Sequence, residues 1–168
     1  MWISTYDGGL IRIGEDEDWT IFDPSNSNLP YHTIDDLCLA NDGKVWLAMR
    51  GSLKLDDTYC HGALFEYYDL TFTKNSPADY IDVTNRLTAI AIDSKNRLWA
   101  ATSTDACGQF EYALSVYDGV NWKNLTSLVT EIPKAYMPEI TFDKKGFIWI
   151  GSEKGVIVVN EKTLDVIN

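Results

Sequence analysis

The feature that most limits what this chain can become is a dipeptide, an apolar residue followed by Trp, that returns four times. It occurs as Met1-Trp2, Val45-Trp46, Leu98-Trp99 and Ile148-Trp149, so the tryptophans stand 44, 53 and 50 residues apart. That period is the length of one four-stranded propeller blade. A single blade cannot bury both of its faces, so a chain with this repeat must stack its units.

The residues before each Trp read as a tight hairpin turn. They are Asn41-Asp42-Gly43-Lys44, Asp93-Ser94-Lys95-Asn96 and Asp143-Lys144-Lys145-Gly146. A leading Asp accepts a hydrogen bond from backbone N–H two residues on, and Asn or Gly at the fourth position tolerates the left-handed conformation that closes the turn. The first turn departs from this, because Ala40 stands where the leading Asp should be and Asp42 must compensate from inside.

On either side of these turns lie short alternating runs, which are expected to be strands. Strand A covers Ile34 to Leu39, Leu87 to Ile92 and Ile140 to Phe142. Strand B covers Val45 to Ala48, Leu98 to Ala101 and Phe147 to Gly151. Strand C follows at Gly9 to Ile13, Ala63 to Tyr67, Ala113 to Tyr117 and Gly155 to Val159, and strand D at Trp19 to Phe22, Leu70 to Thr73, Trp122 to Leu125 and Leu164 to Ile167. The expectation is an all-β propeller domain or propeller fragment over residues 1–168, with about four blades at roughly 1–23, 34–73, 87–125 and 138–168. The first blade begins at strand B and lacks its innermost strand. Three arrangements fit: a closed four-bladed ring, a self-assembled ring, or part of a larger propeller.

Several segments match a known repeat. They are Ser27-Asn28-Leu29-Pro30, Asp143-Lys144-Lys145-Gly146-Phe147-Ile148-Trp149-Ile150-Gly151-Ser152, Asp7-Gly8-Gly9-Leu10 and Val116-Tyr117-Asp118-Gly119. With them the chain resembles the two-component-regulator propeller family over essentially its whole length. The resemblance implies a bacterial sensor role in signal transduction, periplasmic or extracellular, with glycans as the class of signal. It is specific for fold and says less about function, because the shared residues are turn and core residues.

Because A, B, C and D run antiparallel in turn, the A–B and C–D turns share one face and the B–C and D–A connections share the other. The second face carries the long loops, where binding residues concentrate. On it lie Tyr31, His32, Tyr59, His61, Tyr80, Asp82, Arg86, Asp105, Gln109, Glu111, Tyr112 and Tyr136. Aromatic rings beside carboxylates and amides suit a polyhydroxylated small molecule such as a glycan. The two histidines lie in different blades with no nucleophile motif beside them, so the reading is a non-catalytic binder with no metal and no cofactor. Its alternative is a structural or protein-binding propeller, and a carbohydrate-active lyase or hydrolase stands third. The repeat tryptophans are read as blade-to-blade core, and Gly14-Glu15-Asp16-Glu17-Asp18 as a solvated C–D turn.

Composition narrows the partners. A formal net charge of −11 leaves no basic stripe for nucleic acid. No apolar run is long enough to span a bilayer, and the start, Met1-Trp2-Ile3-Ser4-Thr5, has neither a basic region nor an apolar stretch of the signal-peptide kind. Expected partners are therefore a small-molecule or glycan ligand, a second copy, or further blades. Of the three cysteines, Cys38 reads as a small buried hydrophobe. Cys60 and Cys107 precede equivalent Ala-Leu segments of neighbouring blades and form a candidate disulfide in an oxidising compartment, with free thiols the default.

Overall fold

A computed structural model describes residues 1–50, 62–75, 86–104, 111–126 and 132–167. They form fourteen strands and four antiparallel sheets, each sheet in simple sequence order. The first is β1 (Trp2–Ser4), β2 (Leu10–Ile13) and β3 (Trp19–Phe22). The second is β4 (Ile34–Leu39), β5 (Val45–Arg50), β6 (Gly62–Tyr68) and β7 (Thr71–Lys74). The third is β8 (Arg86–Ile92), β9 (Leu98–Thr104), β10 (Glu111–Tyr117) and β11 (Trp122–Asn124), and the fourth is β12 (Glu139–Phe142), β13 (Phe147–Ser152) and β14 (Gly155–Asn160). The protein is an all-β array of four propeller blades, the first lacking strand A. Strand D of the fourth blade is reduced to one bridge, Val159 to Val166. Its approach is turned by Leu164 at φ 64 after an Asn160-capped turn, and bonds from Asn160 N–H to the Asp165 carbonyl and from Ile167 N–H to the Val158 carbonyl flank the bridge.

The hairpin chemistry is as the residues dictate. Asn96, Gly43 and Gly146 all take positive φ at the fourth turn position. Asp93 Oδ1 accepts from the N–H of Lys95 and Arg97, both at 2.9 Å, and Oδ2 accepts from Arg97 Nε at 2.6 Å and from Trp99 Nε1 at 3.0 Å. Asp143 repeats this, with Lys145 and Phe147 N–H on Oδ1 and Trp149 Nε1 on Oδ2. In the second blade Asp42 takes over part of the task, accepting from Lys44 N–H at 3.2 Å. The Asp therefore both closes the turn and fixes the repeat Trp.

Blades stack through opposite faces of each sheet, and strand alternation decides which residue faces which neighbour. In β5, Val45, Leu47 and Met49 pack toward the first blade with Leu10, Phe65 and Phe72, while Trp46 and Ala48 pack toward the third with Leu87, Ile90 and Leu98. Trp99 packs in turn against Ile140, Ile148 and Ile150 of the fourth blade. Both faces of a middle blade are buried, so its central strands read as continuous apolar runs. The repeat tryptophans divide accordingly. Trp46 and Trp99 are buried and Trp2 half-buried, but Trp149 is 42% exposed, because no blade follows it among the described residues.

Two motif glycine and asparagine positions have clear structural work. Gly9 sits at φ +75, where a Cβ would fall 2.1 Å from the Phe22 carbonyl oxygen, so no other residue fits. Asn28 donates to the Phe72 carbonyl and accepts from its N–H, tying the first D–A connection onto β7, while Leu29 is buried beneath.

Asp93 is buried with four donors around it, so Asp93→Ala is expected to cost roughly 2–4 kcal/mol in chemical denaturation. Asp42→Ala, at an exposed turn with one such bond, is expected to cost less than about 1 kcal/mol in the same measurement.

Candidate functional site

The innermost strands carry the polar residues of the long-loop face. Two of them are interrupted at matching places, by register shifts between Ile34 and Asp36 in β4 and between Leu87 and Ala89 in β8. A bulge re-aims side chains that a regular strand would send to one face or the other. Here it frees Asp35 and Asp36 from strict alternation. Asp35 Oδ2 accepts from Arg86 Nε at 3.3 Å, with the Asp35 side chain only 10% exposed. The pair joins the second blade to the third.

Asp36 makes a second such bridge. Its Oδ2 accepts from the N–H of Ile90 in β8 at 2.8 Å, and its Oδ1 from Leu37 N–H at 2.8 Å. The carboxylate thus serves an edge-strand donor that no fifth strand supplies. Burial pushes its pKa up, aided by the negative charges of Glu139 and Asp35, against the downward pull of the two N–H groups. Thr88 continues the series, its hydroxyl donating to the Met137 carbonyl of the fourth blade at 2.7 Å.

The aromatic candidates flank this line. Tyr112 and Tyr136 meet edge to face at 6.5 Å at the boundary of the third and fourth blades. Tyr31 packs its ring on Phe65 at 6.4 Å, and its neighbour His32 is exposed while its carbonyl accepts from Gly9 N–H. The structure therefore brings Tyr112 to Tyr136, places Arg86 on Asp35 one boundary away, and puts Tyr31 and His32 at the boundary of the first two blades. Glu111 opens β10. Tyr59, His61, Tyr80, Asp82, Asp105 and Gln109, and the cysteines Cys60 and Cys107, lie outside the described residues. Cys38 is a free, largely buried thiol whose pKa is pushed far up by burial.

Asp35, Asp36, Thr88 and Glu139 did not figure among the sequence candidates. The signal was present in Asp35-Asp36 within the run Ile34 to Leu39, since two adjacent carboxylates in an alternating strand cannot both point to the same side. With three carboxylates and one guanidinium, this line offers mostly acceptors. It is suited to hydroxyl donors and poorly suited to anions. Among the described residues no group of three or more His, Cys, Asp or Glu is arranged to hold a metal ion, and no helix is long and apolar enough to cross a membrane.

Solved structures share this architecture. The extracellular domain of the hybrid two-component system BT3049 from B. thetaiotaomicron matches 96% of this chain at TM-score 0.68 and 20% sequence identity. The gluconolactonase XC5397 from Xanthomonas campestris matches 95% at TM-score 0.62 and 14% identity. The chain spans 20% of the first of these and 54% of the second. No family model and no curated protein matches. At such identities the likeness shows the fold, and the class it defines is the β-propeller.

Asp36→Asn keeps an acceptor for Ile90 N–H and removes the buried charge. An acid whose folded pKa is raised is most favourable below its unfolded value and loses that contribution as pH rises through the folded one. Because the Asn amide sets an NH2 where Asp36 Oδ1 accepts from Leu37 N–H, the variant carries a pH-independent offset, and the wild type is expected to lose about 1 kcal/mol or less of stability relative to it between pH 3 and 7 in chemical denaturation.

Proposed function

We propose that this chain is a non-catalytic ligand-binding module of the sensor type, taking a carbohydrate on the face that carries the B–C and D–A connections. The observation that supports it most is the row on that face: Asp35 held by Arg86, Asp36 and Glu139 nearby, and the Tyr112–Tyr136 pair beside them. Carboxylates accept hydroxyl protons, a guanidinium serves ring and carbonyl oxygens, and tyrosine faces stack on the C–H side of a pyranose. Tyr31, His32, Tyr59, His61, Tyr80, Asp82, Asp105, Gln109 and Glu111 belong to the same proposed set because the sequence pattern assigns them to the B–C and D–A connections. An extracellular or periplasmic setting accords with this reading, since glycans are met there and the resemblance to sensor propellers points the same way.

A second reading, a propeller whose surface binds protein, is favoured by the exposed Trp149, Val156, Trp19 and Ile21 at the two ends of the array. It concerns different surfaces from the first.

Titration of neutral and acidic mono- and oligosaccharides, followed by calorimetry and ligand-observed NMR, tests the proposal. Binding to a neutral sugar is expected, with Tyr136→Ala and Arg86→Ala each weakening it about tenfold or more. Affinity unchanged in both variants would move the ligand off this face, and conversion of the sugar during titration would make the protein an enzyme.

A further inference from the structure

The three internal boundaries of the array obey one rule. The repeat-Trp face of each blade is covered by the opposite face of the next: Trp2 packs beside Leu47 and Tyr67, Trp46 lies under Ile90 and Leu98, and Trp99 under Ile148 and Ile150. Among the described residues one face of each kind is uncovered. On the fourth blade Trp149 shares its face with Val156 and Val158 through the β13–β14 register, and Ile167 lies beside them; Trp149, Val156 and Ile167 are 42%, 56% and 52% exposed. On the first blade the β1–β2–β3 register puts Ile3, Ile11 and Ile21 side by side, with Ile13 and Trp19 next to them; Ile21 and Trp19 are 51% and 62% exposed. The two faces are complementary to each other in the way each internal pair is.

The turns make the match more specific. At the boundary of the third and fourth blades the A–B turn of one meets the C–D turn of the next. Arg97 Nη2 donates to the Glu161 carbonyl at 2.8 Å, and the Ser94 hydroxyl donates to the Glu161 carboxylate. The same turns face each other between the second and third blades, where Asp42 and Lys44 line a hollow with Tyr117 and Gly119. Carried to the ends, this rule sets the A–B turn of the fourth blade, with exposed Lys144 and Lys145, against the C–D turn of the first. That turn is Glu15-Asp16-Glu17-Asp18, four exposed carboxylates in a row beside an open hollow lined by Arg12 and Ile13.

We infer that two copies of this chain dock head to tail, the Trp149 face and Lys144–Lys145 of one on the Ile3–Ile11–Ile21 face and Glu15–Asp18 turn of the other. A contact between unlike faces makes a ring or a filament. Two four-bladed arcs make an eight-bladed ring, within the range that propellers close. No hydrophobic cluster of the described residues joins the first blade to the fourth within one chain, which leaves both faces for this contact. The net charge of −11 opposes association of copies in general, so the local pairing of lysines with carboxylates selects this geometry over others.

Light scattering at several concentrations tests the inference, with circular dichroism to confirm that each variant is folded. The wild type is expected at twice the 19.0 kDa chain mass. Val156→Glu and Ile21→Glu, each on an exposed face, are expected to be monomeric alone and to form a dimer when mixed, because the mixture restores one intact unlike contact. The double variant Lys144→Glu/Lys145→Glu, confined to an exposed turn, is expected to raise the dissociation constant roughly tenfold and to be rescued by mixing with Glu15→Lys/Asp16→Lys. A wild type that stays monomeric at every concentration overturns the inference. So does a mixture of the two face variants that fails to associate, or a dimer indifferent to the charge changes.

Discussion

A sheet that is apolar on both faces needs two neighbours, and the rest of this structure follows from that need. The middle blades have it met on both sides, and their central strands accordingly carry apolar runs that bury both faces, as in Val45-Trp46-Leu47-Ala48-Met49. The hydrophobic gain is shared between adjacent blades, so no blade owns its core. The alternation of a large Trp on one face with branched aliphatics on the other lets each boundary interdigitate without strain. It also gives the array a direction.

Stacking alone would leave the innermost strand edges with unpaired backbone groups, since a blade has no ladder to the next. Side chains do that work. Asp36 takes the Ile90 N–H, Arg86 reaches Asp35, and Thr88 reaches the Met137 carbonyl, each crossing a blade boundary. Earlier in the chain, Asn28 pairs with the Phe72 backbone of β7, the outer strand of its sheet. These bridges fix the angle between blades at the place where the long loops spring from the scaffold. A binding face placed there, as proposed, would rest on strands whose relative positions these bonds set.

The fold was legible because its determinants are local and repeated. Trp spacing gave the blades, the Asp-x-x-Asn and Asp-x-x-Gly turns gave the hairpins, and strand alternation gave the faces. Strand A of the second blade and strand D of the first fall at the residues expected of them, Ile34–Leu39 and Trp19–Phe22. What was not legible depends on contacts between distant residues. That Trp149 is exposed while Trp99 is buried follows from which blade comes next, not from the repeat. The line of Asp35, Asp36, Thr88 and Glu139 depends on two bulges, and a bulge shifts register by an amount that composition does not encode. The aromatic partners Tyr112 and Tyr136 sat among the candidates, but their meeting is a fact of tertiary structure.

The hairpin built on Asp93 closes within seven residues, from the carboxylate to the Trp99 indole, and Asp143 repeats it. Closing so short a loop sacrifices little chain entropy, so these turns can form before any blade meets another. The second blade, with Ala40 in place of the Asp, closes its turn through the same backbone bonds, Gly43 N–H to the Ala40 carbonyl and Ala40 N–H to the Lys44 carbonyl, and has no Asp at the leading position to hold Trp46. The side-chain lock on the repeat Trp is thereby written unevenly along the chain: the third and fourth hairpins hold their indoles from within, and Trp46 is held by the residues of the blade it packs on.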